Sequence, residues 1–187
     1  MHKSIYLIFL IVIAACNNAS LTNDSLFVSK KDSLNTVADS IYNLGRSYVK
    51  DSGYYESGIE LYKEALEIYT QINNADKIPE ANKLIAYAYD YMSEYGKEKE
   101  YLKKALVGYT AIDEKEEMAI VMNYLAIVYT IMSEYDSAFY YYNKGLDLSY
   151  ITGDTLEIIE ICQNMGICYR DLGDYEKAVD YHLKALK

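Results

Sequence analysis

Beyond residue 16, the cysteines Cys162 and Cys168, six residues apart, and the histidine His182 are of types that suit metal binding, redox exchange or proton transfer. Both cysteines fall in one helix-like stretch, where six residues turn the chain by about 120° and advance it by about 9 Å, beyond disulfide reach. A third group, Asp113-Glu114-Lys115-Glu116-Glu117, concentrates carboxylates where a helix would begin and where its dipole favours them. No glycine-rich phosphate loop, paired-histidine motif or nucleophile elbow accompanies these residues. The sequence therefore predicts no enzymatic activity, no cofactor and no metal site.

A duller role for the same residues follows from repetition. Ala65, Ala105, Gly145 and Ala185 stand forty apart inside related strings, KEALEIY, KKALVGY, NKGLDLS and LKALK. In that register Cys168 shares a column with Ala88 and Val128, Cys162 with Ile41 and Met122, and His182 with Tyr62, Leu102 and Tyr142. Columns of apolar fillers predict buried structural thiols and a core or half-buried histidine.

The register exposes four units: IYNLGRSYVKDSGYYESGIELYKEAL, NKLIAYAYDYMSEYGKEKEYLKKAL, MNYLAIVYTIMSEYDSAFYYYNKGL and CQNMGICYRDLGDYEKAVDYHLKAL. In each, a large apolar residue precedes a small one (Gly45, Ala86, Ala126, Gly166), and a tyrosine follows three later (Tyr48, Tyr89, Tyr129, Tyr169). Small residues let helices approach closely and tyrosines fill the spaces between them. A period of this length is the mark of a solenoid, whose units bury their apolar faces only by stacking. One proline, no tryptophan and 23 tyrosines also suit packed helices.

The pattern of small and large residues from Leu44 to Leu186 resembles the tetratricopeptide repeat, most clearly at Gly166-Ile167-Cys168-Tyr169 followed by Gly173-Asp174-Tyr175-Glu176-Lys177-Ala178. It departs at the tryptophan-favoured position, which holds Ile41, Asn82, Met122 and Cys162, and in its forty-residue period, which matches the long-helix variety. The resemblance implies an all-α solenoid of about four antiparallel helix pairs, over residues 33–187, in units of about 38–74, 75–113, 114–153 and 154–187. Ser93-Glu94, Ser133-Glu134 and Gly173-Asp174 are expected to break first helix from second. Asn73-Asn74, Asp113 and Thr152-Gly153-Asp154 are expected to part the units, the last of which stops inside its second helix. It also implies a partner-binding groove along the first helices, at Tyr42, Arg46, Lys83, Tyr87, Asn123, Ile127, Gln163, Asn164, Ile167 and Arg170, with Arg46 and Lys83 suited to an acidic partner. The Lys/Asn clamp of co-chaperones is not reproduced, because Tyr87 stands where asparagine is required.

Ahead of the repeats, His2 and Lys3 precede an apolar run from Ile5 to Ala15 that is too short to span a bilayer and reads as a signal segment, residues 1–15. Ile13-Ala14-Ala15-Cys16 resembles the bacterial lipobox, which implies lipidation at Cys16 and a flexible tether over 16–32. The 28 acids outnumber the 18 bases, a net charge of −10, which disfavours nucleic acid and anionic lipid. Asp-Ser/Thr-aliphatic triplets at Asp24, Asp32, Asp39, Asp136 and Asp154 weakly resemble an O-glycosylation signal of exported bacterial proteins and more simply suit helix starts. The expectation is an exported, lipid-anchored, non-catalytic scaffold of the bacterial envelope that binds a protein or peptide. The alternative is the extracytoplasmic sensor portion of a longer signalling protein, with a histidine kinase or helix-turn-helix output. Further repeats or end-to-end self-association would cover the final face.

Overall fold

The computed structural model describes residues 23–186, and the expected signal segment and the expected lipidation site Cys16 lie outside them. The described residues form eight helices: α1 Asn23–Ser52, α2 Tyr55–Gln71, α3 Lys77–Tyr91, α4 Tyr95–Ala111, α5 Lys115–Ile131, α6 Tyr135–Thr152, α7 Thr155–Asp171 and α8 Tyr175–Lys184. None of these is long and apolar enough to cross a membrane.

Seven turns join the eight helices, and each contains one residue in the left-handed region: Gly53, Asn73, Ser93, Asp113, Ser133, Gly153 and Gly173. They stand twenty apart, so the forty-residue unit is two equal halves of helix and turn. After six of them the next N–H reaches back to the carbonyl five residues earlier: Asn74 to Tyr69, Glu94 to Tyr89, Glu114 to Tyr109, Glu134 to Tyr129, Asp154 to Ser149, and Asp174 to Tyr169. This bond satisfies a carbonyl that the helix end would otherwise leave open. The first turn is longer by one residue, with Tyr54 N–H donating to the Tyr48 carbonyl. That extra residue explains why Gly45 precedes Ala86 by forty-one positions while the later units keep forty.

Successive helices pack as hairpins, α1 with α2 through α7 with α8, and each second helix packs on the next first helix. Helices α5 and α7 also touch, which places the first helices in one layer. Tyr42, Tyr62 and Tyr69 join Ile59, Ile85 and Ala88 in a core at the N-terminal end. Leu102, Leu125, Tyr142, Ile161 and Met165 continue it toward the C-terminal end. Helices α1 and α2 approach closely at Gly58, where a Cβ would overlap Val49 Cγ2.

Three expectations change. Helix α1 starts at Asn23, inside the stretch expected to be tether, because extending an existing helix adds a hydrogen bond per residue without a new nucleation step. The Asp32 and Asp39 triplets lie mid-helix rather than at helix starts, and the Ser33 and Ser40 hydroxyls bond the carbonyls of Ser29 and Thr36. Asp154, by contrast, caps α7 by accepting from the Glu157 N–H at 3.1 Å. Finally, His182 is exposed, unlike buried Tyr62, Leu102 and Tyr142, because no following first helix covers α8 within the described residues. Its ring lies against Gly166, where a Cβ would come within 2.6 Å of His182 Cε1.

Candidate functional site

The expected groove residues lie on α1, α3, α5 and α7, and the structure divides them into those that hold the array together and those that face outward. Tyr42 is 4% exposed, and its hydroxyl donates to Glu80 Oε1 at 2.7 Å. Burial, followed by that carboxylate, drives the Tyr42 phenol far above its ordinary pKa. Asn123 is 2% exposed, donates to Glu157 Oε1 at 2.9 Å and accepts from Asn164 Nδ2 at 3.0 Å. Lys83 is paired with Glu117, and its ammonium also lies 5.6 Å from the centre of the Tyr109 ring.

These contacts share one slot between consecutive units. Lys77 Nζ sits 5.3 Å from the Tyr42 ring, Lys83 meets Glu117, and Asn123 meets Glu157, at the same place in three successive junctions. A cation–π contact, an ion pair and a neutral-to-acid hydrogen bond thus do one structural job. Tyr42, Lys83 and Asn123 are therefore inter-repeat ties rather than free contact residues. Lys83 is matched by Glu117, which leaves Arg46 as the exposed base of the expected pair. Glu117, one of the carboxylates expected in a solvated cap, reaches α3 instead, while Asp113 pairs with Lys115 at 2.7 Å.

The outward-facing set is Arg46, Gln163, Ile167 and Arg170, all exposed, with Tyr87, Ile127 and Asn164 half-buried. Arg170 donates to its neighbour Asp171 at 2.9 Å. Tyr87 and Tyr124, from α3 and α5, bring their rings to 4.5 Å between centroids in a tilted pair. Tyr124 belongs to the layer and carries no column signal that marked it in the sequence. Burial raises both phenols, and nearby carboxylates add to it: Glu117 beside Tyr87, and Glu160, Glu157 and Asp90 beside Tyr124. Burial also pushes the Glu157 carboxyl up to about 7, partly offset by the hydrogen bond from Asn123. The middle of this face is a tyrosine pair with two exposed carboxylates, Asp90 and Glu160, beside Tyr124.

Cys162 and Cys168 are buried free thiols, and burial raises both above the ordinary thiol value. That environment withholds the reactive thiolate.

Four helix hairpins stacked in register, with small residues at the crossings and left-handed turns between, define an α-solenoid of helical repeats. Two family models described as tetratricopeptide repeat match residues 38–72 and 117–187, together more than half of the chain. The chain belongs to the tetratricopeptide repeat family, whose first helices line the concave side. No curated protein sequence matches it. Among solved structures, BtubC (BKLC) from P. vanneervenii is 20% identical and aligns over 98% of this chain and 71% of that one, with a TM-score of 0.69. MamA is 22% identical over 87% of this chain and 88% of that one, with a TM-score of 0.61. A Rap protein complexed with Competence and Sporulation Factor is 14% identical over 84% of this chain and 51% of its own, with a TM-score of 0.57. At these identities the likeness is one of fold.

Proposed function

We propose that this chain is a non-catalytic interaction scaffold, tethered to a bacterial membrane through Cys16, whose concave face receives a basic segment of a partner protein. The observation that carries the reading is the Tyr87–Tyr124 pair with the exposed carboxylates Asp90 and Glu160 beside Tyr124. Aromatic faces and carboxylates together favour lysine and arginine side chains, through cation–π contact and charge. With Lys83 matched by Glu117, the remaining charge on this part of the groove is negative. The Rap protein crystallised with Competence and Sporulation Factor supports the general idea that such an array holds a partner.

The tether rests on the sequence, where Ile13-Ala14-Ala15 precedes Cys16. Two experiments test the reading. Cys16→Ser should move the protein from the detergent phase to the aqueous phase, and unchanged partition would remove the anchor from the proposal. A photocrosslinker at position 87 should trap a partner through a lysine- or arginine-rich segment in intact cells. The same crosslinker at Tyr140, exposed on the opposite layer, should not trap that segment. A second reading is the sensing portion of a longer signalling protein, with a histidine kinase or helix-turn-helix output. The gene sequence beyond Lys187 tests it.

A further inference from the structure

The slot between consecutive units is filled differently at each of its three junctions. Between the first two units Tyr42 donates to Glu80, which also pairs with Lys77 at 2.7 Å. Between the second and third, Glu117 pairs with Lys83. Between the third and fourth, Glu157 takes the column of Lys77 and Glu117, and Asn123 takes that of Tyr42 and Lys83. Glu157 is 6% exposed and accepts from the Asn123 amide at 2.9 Å, and no lysine or arginine pairs with it among the described residues. A carboxylate that has an ammonium at one junction thus has an amide at the next.

The groups around Glu157 do little to compensate its charge. On α7 itself Asp154 and Glu160 oppose ionisation. Helix α5 presents the Asn123 amide, whose Oδ1 is taken by Asn164 Nδ2, and the Tyr124 phenol. Helix α6 has Ser149 in the column of Tyr69 and Tyr109. Those phenols bond Asp39 and lie beside Glu117, whereas the Ser149 hydroxyl is taken up by the Gly145 carbonyl at 3.0 Å. On α8 the charge whose field reaches α7 is Lys184, and it falls on Cys162. The α7 N-terminus and the Asn123 bond favour the carboxylate. Burial outweighs them and pushes the carboxyl up to about 7 from an ordinary 4.5.

The backbone beside this slot is also the freest of its kind. The turn into α7 has Gly153 at φ 75°, where the other turns between units use Asn73 and Asp113. Beyond that turn, α7 carries Gln163, Asn164, Ile167 and Arg170, the fourth unit's share of the concave face.

We propose that the junction between the third and fourth units is a proton-operated joint: α7 and α8 stay docked while Glu157 is protonated and open about Gly153 more readily once it has ionised, so that pH sets the extent of the concave face. When the hairpin opens, the carboxyl returns to water and to its ordinary value. Docking is therefore strongest below pH 4.5, weakens as pH rises to about 7, and is level above that. An ionised Glu157 left in the slot is the costly case of a buried charge without a counter-charge.

Cys162 and Cys168, both on α7 and both buried, report the opening. The full chain with Cys16→Ser is labelled by an aromatic disulfide at pH 5 and at pH 8. Each rate is divided by that of the same chain in denaturant, which removes the pH dependence of the thiol itself. The ratio should rise at least about tenfold from pH 5 to pH 8. Glu157→Gln keeps an acceptor for Asn123 and has no proton to lose, so its rise should stay under about twofold. Asn123→Lys, which copies the Lys83–Glu117 pair, should lower the ratio at pH 8 by about tenfold. Glu98→Ala, in the second unit, should leave the rise as it is, because the opening is confined to the last hairpin. A ratio that ignores pH, an equal rise in Glu157→Gln, or a rise abolished by Glu98→Ala would overturn the proposal. So would a folded Asn123→Lys that labels like the parent at pH 8.

Discussion

Glu98 is the residue at which this array departs furthest from its own pattern. Its column holds Gly58, Ala138 and Ala178 in the other units, yet Glu98 is 2% exposed and its Oε2 has no partner among the described residues. Burial, with Asp90 nearby, pushes its carboxyl up to about 8 from an ordinary 4.5. The folded state therefore keeps the proton through a range in which the unfolded state gives it up. Stability from this group is complete below pH 4.5 and declines as pH rises towards 8. Glu98→Ala should raise the melting temperature at pH 8 by the equivalent of about 1–3 kcal/mol, and by less at pH 5. It should also reduce the slope between those pH values, leaving the smaller contribution of Glu157 with the same sign. A variant whose melting curve falls with pH as steeply as the parent would contradict this. The thiols offer a second check: in a Cys16→Ser background, Cys162 and Cys168 should resist a thiol reagent in buffer and react fully in denaturant, since both are buried. Their burial was legible from the column of fillers. Exposure of His182 was not, because columns report what a position does when a neighbour covers it.

At the scale of elements, the turns carry a testable asymmetry. Asn73, Ser93, Asp113 and Ser133 adopt positive φ where Gly53, Gly153 and Gly173 serve the same function. Glycine enters that region without the Cβ conflict, so Ser93→Gly and Ser133→Gly should be neutral or stabilising by up to about 1 kcal/mol, despite the greater freedom of the unfolded chain. Gly173→Ala should destabilise by about 1 kcal/mol or more. Chemical denaturation of the three variants decides it, and a stabilised Gly173→Ala would refute the turn assignment. Most of these turns were readable from paired polar residues, because helices of equal length end at equal intervals. The extra residue in the first turn shows in the forty-one positions from Gly45 to Ala86, whereas the start of α1 at Asn23 was not readable, since nothing there breaks the local preference for helix. The ties between units were hidden for a different reason. Lys83 and Glu117, or Asn123 and Glu157, stand thirty-four residues apart, a spacing that only the stacked geometry turns into contact.

The whole molecule is a two-sided object. Its first-helix layer centres on the Tyr87–Tyr124 pair with Asp90 and Glu160, and its second-helix layer carries lysines on tyrosine faces, Lys63 on Tyr101 and Lys103 on Tyr129. The period and small-residue pattern made the solenoid legible before any coordinates. Where each site lies was less so, because a groove position such as Tyr42 or Asn123 serves either a partner or the next unit, and burial alone separates the two roles. The most direct measurement of the central claim is titration of the purified chain with a tryptophan-bearing lysine- and arginine-rich peptide, read by the peptide's own emission. Saturable binding is expected, weakening with salt, and at least about tenfold weaker after Asp90→Lys with Glu160→Lys and after Tyr124→Ala. Binding that ignores the charge reversals and Tyr124→Ala, or no binding at low salt, would contradict a scaffold that grips a basic partner in its concave face.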